Sequence, residues 1–231
     1  MDFEKPPLII VALDLPPAEA AKLVKALEPA EGRIAAYKIG SINALEIGVK
    51  ETVAELRQFT KLPIIYDHQK GCTDIPEIVA RQVEIVAEGG ADSFIAVPLG
   101  AGGKSLELFV DACKRKKIVP IALLEMTHPG ANDFLAENAA RKVFEKAVAL
   151  GVEYFVAPAT KPEKIREYKD WGESIKIMSP GIGAQGGSAR EAVAAGTDYP
   201  IVGRQISQAE NPAGEVEKIY KECLEGFKKR K

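Results

Sequence analysis

Asp67, Lys70 and Asp74 are the charged residues of IIYDHQKGCTDIP, residues 64–76. An apolar run of Ile64, Ile65 and Tyr66 ends at Asp67, and Ile75-Pro76 opens a new amphipathic segment. A β-rich run that ends in charge and feeds a helix puts that charge at the carboxyl end of a strand. Parallel α/β folds keep their chemistry there. Carboxylates on either side of an ammonium raise its pKa and repel one another. Such a set holds a cation ready between anions. The pattern alone also fits a solvated loop with three unrelated charges.

Two glycine-containing stretches point to a second kind of chemistry. SPGIGAQGG (residues 179–187) and VGR (202–204) follow the chain's last two expected strands, the seventh and eighth. Barrels frequently bind phosphate between the loops after strands seven and eight, with backbone N–H groups toward the anion. Glycine permits close backbone approach. Pro180 and Gly203 are candidate substrate-binding residues in these loops, Arg204 can give a phosphate two parallel hydrogen bonds, and Gln185 adds an amide donor. In EMTHPGAND (125–133), Thr127 offers a donor and an acceptor to a polar ring edge, and His128 precedes a Pro-Gly turn. His128 and His68 read as structural. Lys38 suits either a Schiff base or a charge network with Asp67. Asp14 could accept hydrogen bonds from sugar hydroxyls, and buried structural ion pairs are the alternative for both. No His, Cys, Asp and Glu set has metal-ligand spacing, so no metal is expected.

The elements that must position these residues alternate strictly. Strands are expected at 7–14, 34–39, 63–66, 92–97, 118–124, 153–157, 174–178 and 199–202. Helices are expected at 16–28, 43–59, 76–88, 104–116, 132–150, 162–169, 188–195 and 211–227. The strands are near-continuous apolar runs, as strands buried on both faces should be. Proline in the first turn marks several helix starts. Eight such units close naturally as an α/β (β/α)₈ TIM barrel, read as one domain over residues 1–231. An open doubly wound sheet is the alternative, but no G-x-G-x-x-G follows the first strand.

Composition narrows the function classes. The chain has 231 residues, a net charge of −2, 46% hydrophobic and 28% charged residues. No basic surface argues for nucleic acid. Cys72, Cys113 and Cys223 are odd in number and widely spaced, which fits a reduced compartment. No apolar stretch reaches a membrane span, and MDFEKPP has no signal-peptide core, so a cytoplasmic protein is expected.

These motifs together resemble the orotidine 5′-phosphate decarboxylase family in its short archaeal form, over nearly the whole chain. The resemblance rests on Leu13-Asp14, YKIG (37–40), Asp74-Ile75-Pro76, EMTHPG, APATKPEKI (157–165), SPGIGAQGG, IVGRQI and Asn211-Pro212. It implies decarboxylation of orotidine 5′-phosphate to uridine 5′-phosphate without metal or cofactor, in a homodimer. Lys38 would orient Asp67 and the ribose. Asp67 would sit near the departing carboxylate, Lys70 would protonate C6, and Asp74 would reach the partner's site. Asp14 would hold ribose hydroxyls, Thr127 would read the pyrimidine, and Gln185 with Arg204 would grip the phosphate.

The spacing departs from that family. Its core is D-x-K-x-x-D, whereas this chain reads D-x-x-K-x-x-x-D from Asp67 to Asp74. In a regular strand, residues two apart share a face and residues three apart do not. A bulge after Asp67 would restore the alignment, and Gly71 could relax the second insertion. Ile78 stands where the family commonly has threonine. A related sugar-phosphate lyase, or a uridine-nucleotide-binding protein without turnover, is therefore the alternative.

Overall fold

The structure, a computed structural model, describes residues 7–68, 71–100, 102–131, 133–172 and 174–230. Lys70 lies outside the described residues.

Eight parallel strands form a closed barrel in sequential order. They are β1 (Ile9–Ala12), β2 (Ile34–Gly40), β3 (Ile64–Asp67), β4 (Ser93–Ala96), β5 (Val119–Leu123), β6 (Tyr154–Val156), β7 (Lys176–Ser179) and β8 (Tyr199–Val202). The helices are α1 (Pro17–Ala26), α2 (Ser41–Glu46), α3 (Val49–Leu56), α4 (Pro76–Glu88), α5 (Gly102–Lys116), α6 (Ala139–Ala149), α7 (Pro162–Asp170), α8 (Ala189–Ala195), α9 (Arg204–Ser207) and α10 (Pro212–Phe227). Proline in the first turn opens α1, α4, α7 and α10. Its fixed φ suits the helix, and its missing N–H would have had no helical partner. Ser188 and Asn211 cap α8 and α10 by accepting from Glu191 N and Gly214 N.

The strand period of two divides the core into layers. Ile10, Ala36, Ile65, Ile95, Ile121, Val156, Met178 and Ile201 fill the barrel interior. Their neighbours Ile9, Tyr37, Ile64, Phe94, Phe155 and Ile177 face outward into the helix layer. At the amino-terminal end, two aspartates brace adjacent strands. Asp92 accepts from Ile64 N and Arg57 Nη2, and Asp198 from Ile177 N, Lys169 Nζ and Arg230 Nη1. That end of a barrel serves stability, which leaves the other for chemistry.

Three features differ most from expectation. The helix expected over 43–59 is two, α2 and α3, because Gly48 takes φ +89° between them. The helix expected from 132 begins only at Ala139. The sequence preceding it carries the fully exposed Phe134. A short helix, α9, follows β8 directly and starts at Arg204.

Candidate active site

Lys38, Asp67 and Asp14 form one wall of the site through strand register alone. Ala12 of β1 is level with Lys38 of β2, and Lys38 with Ile65 of β3. Asp14 and Asp67 each follow two residues later, so both stand one interior layer above the lysine. Lys38 rises between them: Nζ lies 2.9 Å from Asp67 Oδ2 and 3.3 Å from Asp14 Oδ1. Lys38 and Asp67 are buried, whereas the Asp14 side chain is 57% exposed.

Burial pulls the Lys38 ammonium down, but Asp67 and then Asp14 outweigh that effect and hold it above the ordinary lysine value. It therefore remains charged through the neutral range. Of the two roles open to Lys38, the charge network fits. A Schiff base needs the neutral amine. Asn43, fully buried on α2, locks this wall: its Nδ2 donates to Leu15 O and its Oδ1 accepts from Gly40 N.

The facing wall comes from the loops after β5, β7 and β8. Thr127, Pro180, Gly181, Gln185, Gly203 and Arg204 line the same cavity as Lys38, Asp67 and Asp14. Its volume is about 760 Å³, within the range of small-molecule sites, about 300–1,000 Å³. Gly181 takes φ +99°, and a Cβ there would lie 3.2 Å from the Cγ2 atoms of both Thr127 and Thr160. Glycine is thus the residue that lets the β7 loop lie against Thr127. The N–H groups of Gly183, Gly186 and Gly187 donate to Gly187 O, Gly183 O and Gly181 O. These three amides hold the loop's own shape. Among the described residues, the exposed side chains of Arg204 and Gln185 have no hydrogen-bond or ion-pair partner. They are donors without an internal acceptor.

Asp74 behaves differently. It is exposed, its carbonyl accepts from Ser105 Oγ, and it is not among the cavity's lining residues. His128 is also exposed and away from the cavity, in a turn closed by Ala131 N to His128 O. His68 does line the cavity, as do Ser41 and Gln208, which sequence reasoning did not single out. Ser41 was legible as the first residue past β2, whereas Gln208 depends on the unforeseen α9. Behind Thr127, the buried Glu125 accepts from Lys161 Nζ at 2.5 Å and from Tyr168 OH at 2.7 Å. That network ties the start of the β5 loop to α7. Among the described residues no three His, Cys, Asp or Glu side chains gather as a metal site. None of their helices is long and apolar enough to cross a membrane.

Comparison with known proteins gives a consistent match. The profile described as the Orotidine 5'-phosphate decarboxylase / HUMPS family matches residues 7–219. Orotidine 5'-phosphate decarboxylase of Methanosarcina mazei is 36% identical over 91% of this chain and 92% of its own. The Thermococcus kodakarensis enzyme of that name is 37% identical over 94% and 97%. Among solved structures, orotidine 5'-monophosphate decarboxylase from Methanocaldococcus jannaschii, complexed with the inhibitor BMP, superposes with a TM-score of 0.84 at 32% identity. That match covers 94% of this chain and 98% of the other. The Pyrococcus horikoshii enzyme gives a TM-score of 0.81 at 34% identity, covering 94% and 99%.

Proposed function

The chain belongs to the Orotidine 5'-phosphate decarboxylase / HUMPS family, and on that premise we propose that it converts orotidine 5′-phosphate to uridine 5′-phosphate and CO₂. One observation carries the reading. A buried ammonium, Lys38, is held between Asp67 and Asp14 on one wall of a cavity whose other wall presents Gln185 and Arg204.

In this reading Arg204 and Gln185 bind the phosphate, Thr127 contacts the pyrimidine, and Asp14 accepts from the ribose hydroxyls. Pro180 and Gly203 shape the phosphate-side loops. The carboxylate at C6 is placed near Asp67. Breaking its bond to the ring releases CO₂ and leaves the electron pair on C6. Lys70 stabilises that charge and transfers a proton to C6. Lys38 neutralises Asp67 from below and fixes its orientation. Contacts to the phosphate, remote from C6, supply binding free energy for orientation. The proton comes from a side chain and the electrons stay in the ring, so no metal or cofactor is required.

The active form is proposed to be a homodimer in which Asp74 completes the partner's site. Its exposure outside its own cavity supports this, as do the exposed neighbours Ile75 and Ile78. Apolar Ile78 gives that surface packing area but no hydrogen bond.

The test is loss of the substrate's ultraviolet absorbance on incubating orotidine 5′-phosphate with the protein in EDTA. Turnover unaffected by EDTA supports the proposal. Turnover that appears only with added Mg²⁺ would favour a metal-dependent lyase. Binding of uridine 5′-phosphate without turnover would favour a nucleotide-binding role.

A further inference from the structure

His68 follows Asp67 at the end of β3, and its imidazole lines the cavity. Tyr66 and Gly71 both contact this residue. Tyr66 OH lies 2.5 Å from His68 Nδ1, and the two ring centroids are 5.5 Å apart. Tyr66 is buried and packs on Phe94, which meets Phe109 of α5 edge-on, so the anchor belongs to the helix-layer core. On the other side, Gly71 N donates to His68 O at 2.6 Å. A Cβ on Gly71 would fall 2.6 Å from His68 Cδ2. The chain thus returns against the imidazole at a residue that tolerates no side chain.

Burial, and then the Asp67 charge, push the Tyr66 phenol up to about 12. The phenol stays protonated, so Tyr66 and His68 Nδ1 share one proton-bearing hydrogen bond whose direction follows the imidazole tautomer.

We propose that His68 is a positioning residue: hydrogen-bonded to Tyr66 through Nδ1, it sets how the chain leaves Asp67 and returns at Gly71, the interval in which the sequence carries Lys70. The need arises in this chain because Lys70 stands three residues after Asp67, so strand alternation does not aim it. An anchored imidazole replaces the strand as the reference. This inference rests on the decarboxylase reading.

The test compares kcat, KM and the uridine 5′-phosphate dissociation constant for wild type, Tyr66→Phe, His68→Gln and His68→Asn, with folding checked by circular dichroism. An asparagine Oδ1 can accept at the Nδ1 position, whereas a glutamine amide sits nearer Nε2. Misplacing a reacting group costs rate far more than ground-state binding. Tyr66→Phe and His68→Gln should therefore lower kcat about tenfold or more, with KM and nucleotide affinity within about threefold. His68→Asn should recover kcat to within about threefold of wild type. Equal kcat in the Gln and Asn variants overturns the proposal, even if Tyr66→Phe does not fold. If wild type itself shows no turnover, the decarboxylase reading fails separately. The hold is then read from the imidazole Nδ1 ¹⁵N shift of wild type and Tyr66→Phe: a shift that moves in the variant supports it, and an unchanged one overturns it.

Discussion

Lys38 sits one interior layer below Asp67 and reaches up to it, Nζ to Oδ2 at 2.9 Å, with both side chains buried. The strand register makes this contact, since Lys38 is level with Ile65, two residues before Asp67.

Removing the lysine should expose how strongly the pair is held. Lys38→Met leaves Asp67 buried without its cation, a change worth about 3–5 kcal/mol of lost stability. Asp14→Asn, at a mostly exposed position, should cost under about 1 kcal/mol. Urea unfolding midpoints check both. Lys38 has a raised folded-state pKa. Its contribution is therefore fully present below the ordinary lysine value, about 10.4, and lost as pH climbs through the folded value. The gap between wild type and Lys38→Met should hold from neutral pH to about 10 and narrow above it. A gap that narrows at neutral pH would contradict this assignment.

Arg204 should separate binding from stability. Arg204→Ala is expected to weaken uridine 5′-phosphate binding by about 1.5–3 kcal/mol, the scale of hydrogen bonds to charged groups. Unfolding should change by no more than about 0.5 kcal/mol, because the side chain is exposed and unpartnered. Calorimetric titration with the nucleotide measures the first quantity. Unchanged affinity would remove Arg204 from the phosphate site.

The three cysteines should be inert in the folded protein. All are free and buried, and burial raises each thiol, Cys223 to about 12 and Cys72 and Cys113 further. The thiolate is the reactive form. Ellman's reagent at pH 8 should therefore label none until denaturant is added. Rapid labelling of native protein would contradict the burial.

Mixing inactive variants tests the shared site. Lys70→Ala and Asp74→Ala dimers, each nearly inactive, should recover about a quarter of wild-type activity after subunit exchange. Half the dimers would then be hybrids with one intact site of two. No recovery, with exchange verified by mass, would mean that Asp74 does not serve the partner.

Much of this architecture was legible in the chain. The apolar runs ending in Asp14 and Asp67 located strands and rim together, because a strand buried on both faces tolerates charge only where it emerges. Arg204 and Gln185 followed from loop order. Other features depended on three-dimensional detail. The periodicity of 43–59 hid the break at Gly48, since an amphipathic pattern runs on through one residue whose φ stops the helix. Phe134 and Leu135 fit a helical stripe, yet Phe134 is fully exposed and α6 starts at Ala139. Lys38 was placed at the strand end, whereas β2 continues to Gly40 and puts it one layer deeper. Tyr66 and His68, two residues apart, share a strand face, but their types alone gave no sign that the phenol would hold the imidazole.

The most direct test of the account is single-turnover conversion of orotidine 5′-phosphate by wild type and Lys70→Ala, with uridine 5′-phosphate identified as the product by mass. The account predicts conversion by wild type and a loss of about ten-thousandfold or more in the variant, at or beyond the upper end of what proton transfer alone contributes, because Lys70 also stabilises the developing charge. Equal conversion by the two proteins, or tight uridine 5′-phosphate binding with no conversion by wild type, would contradict it.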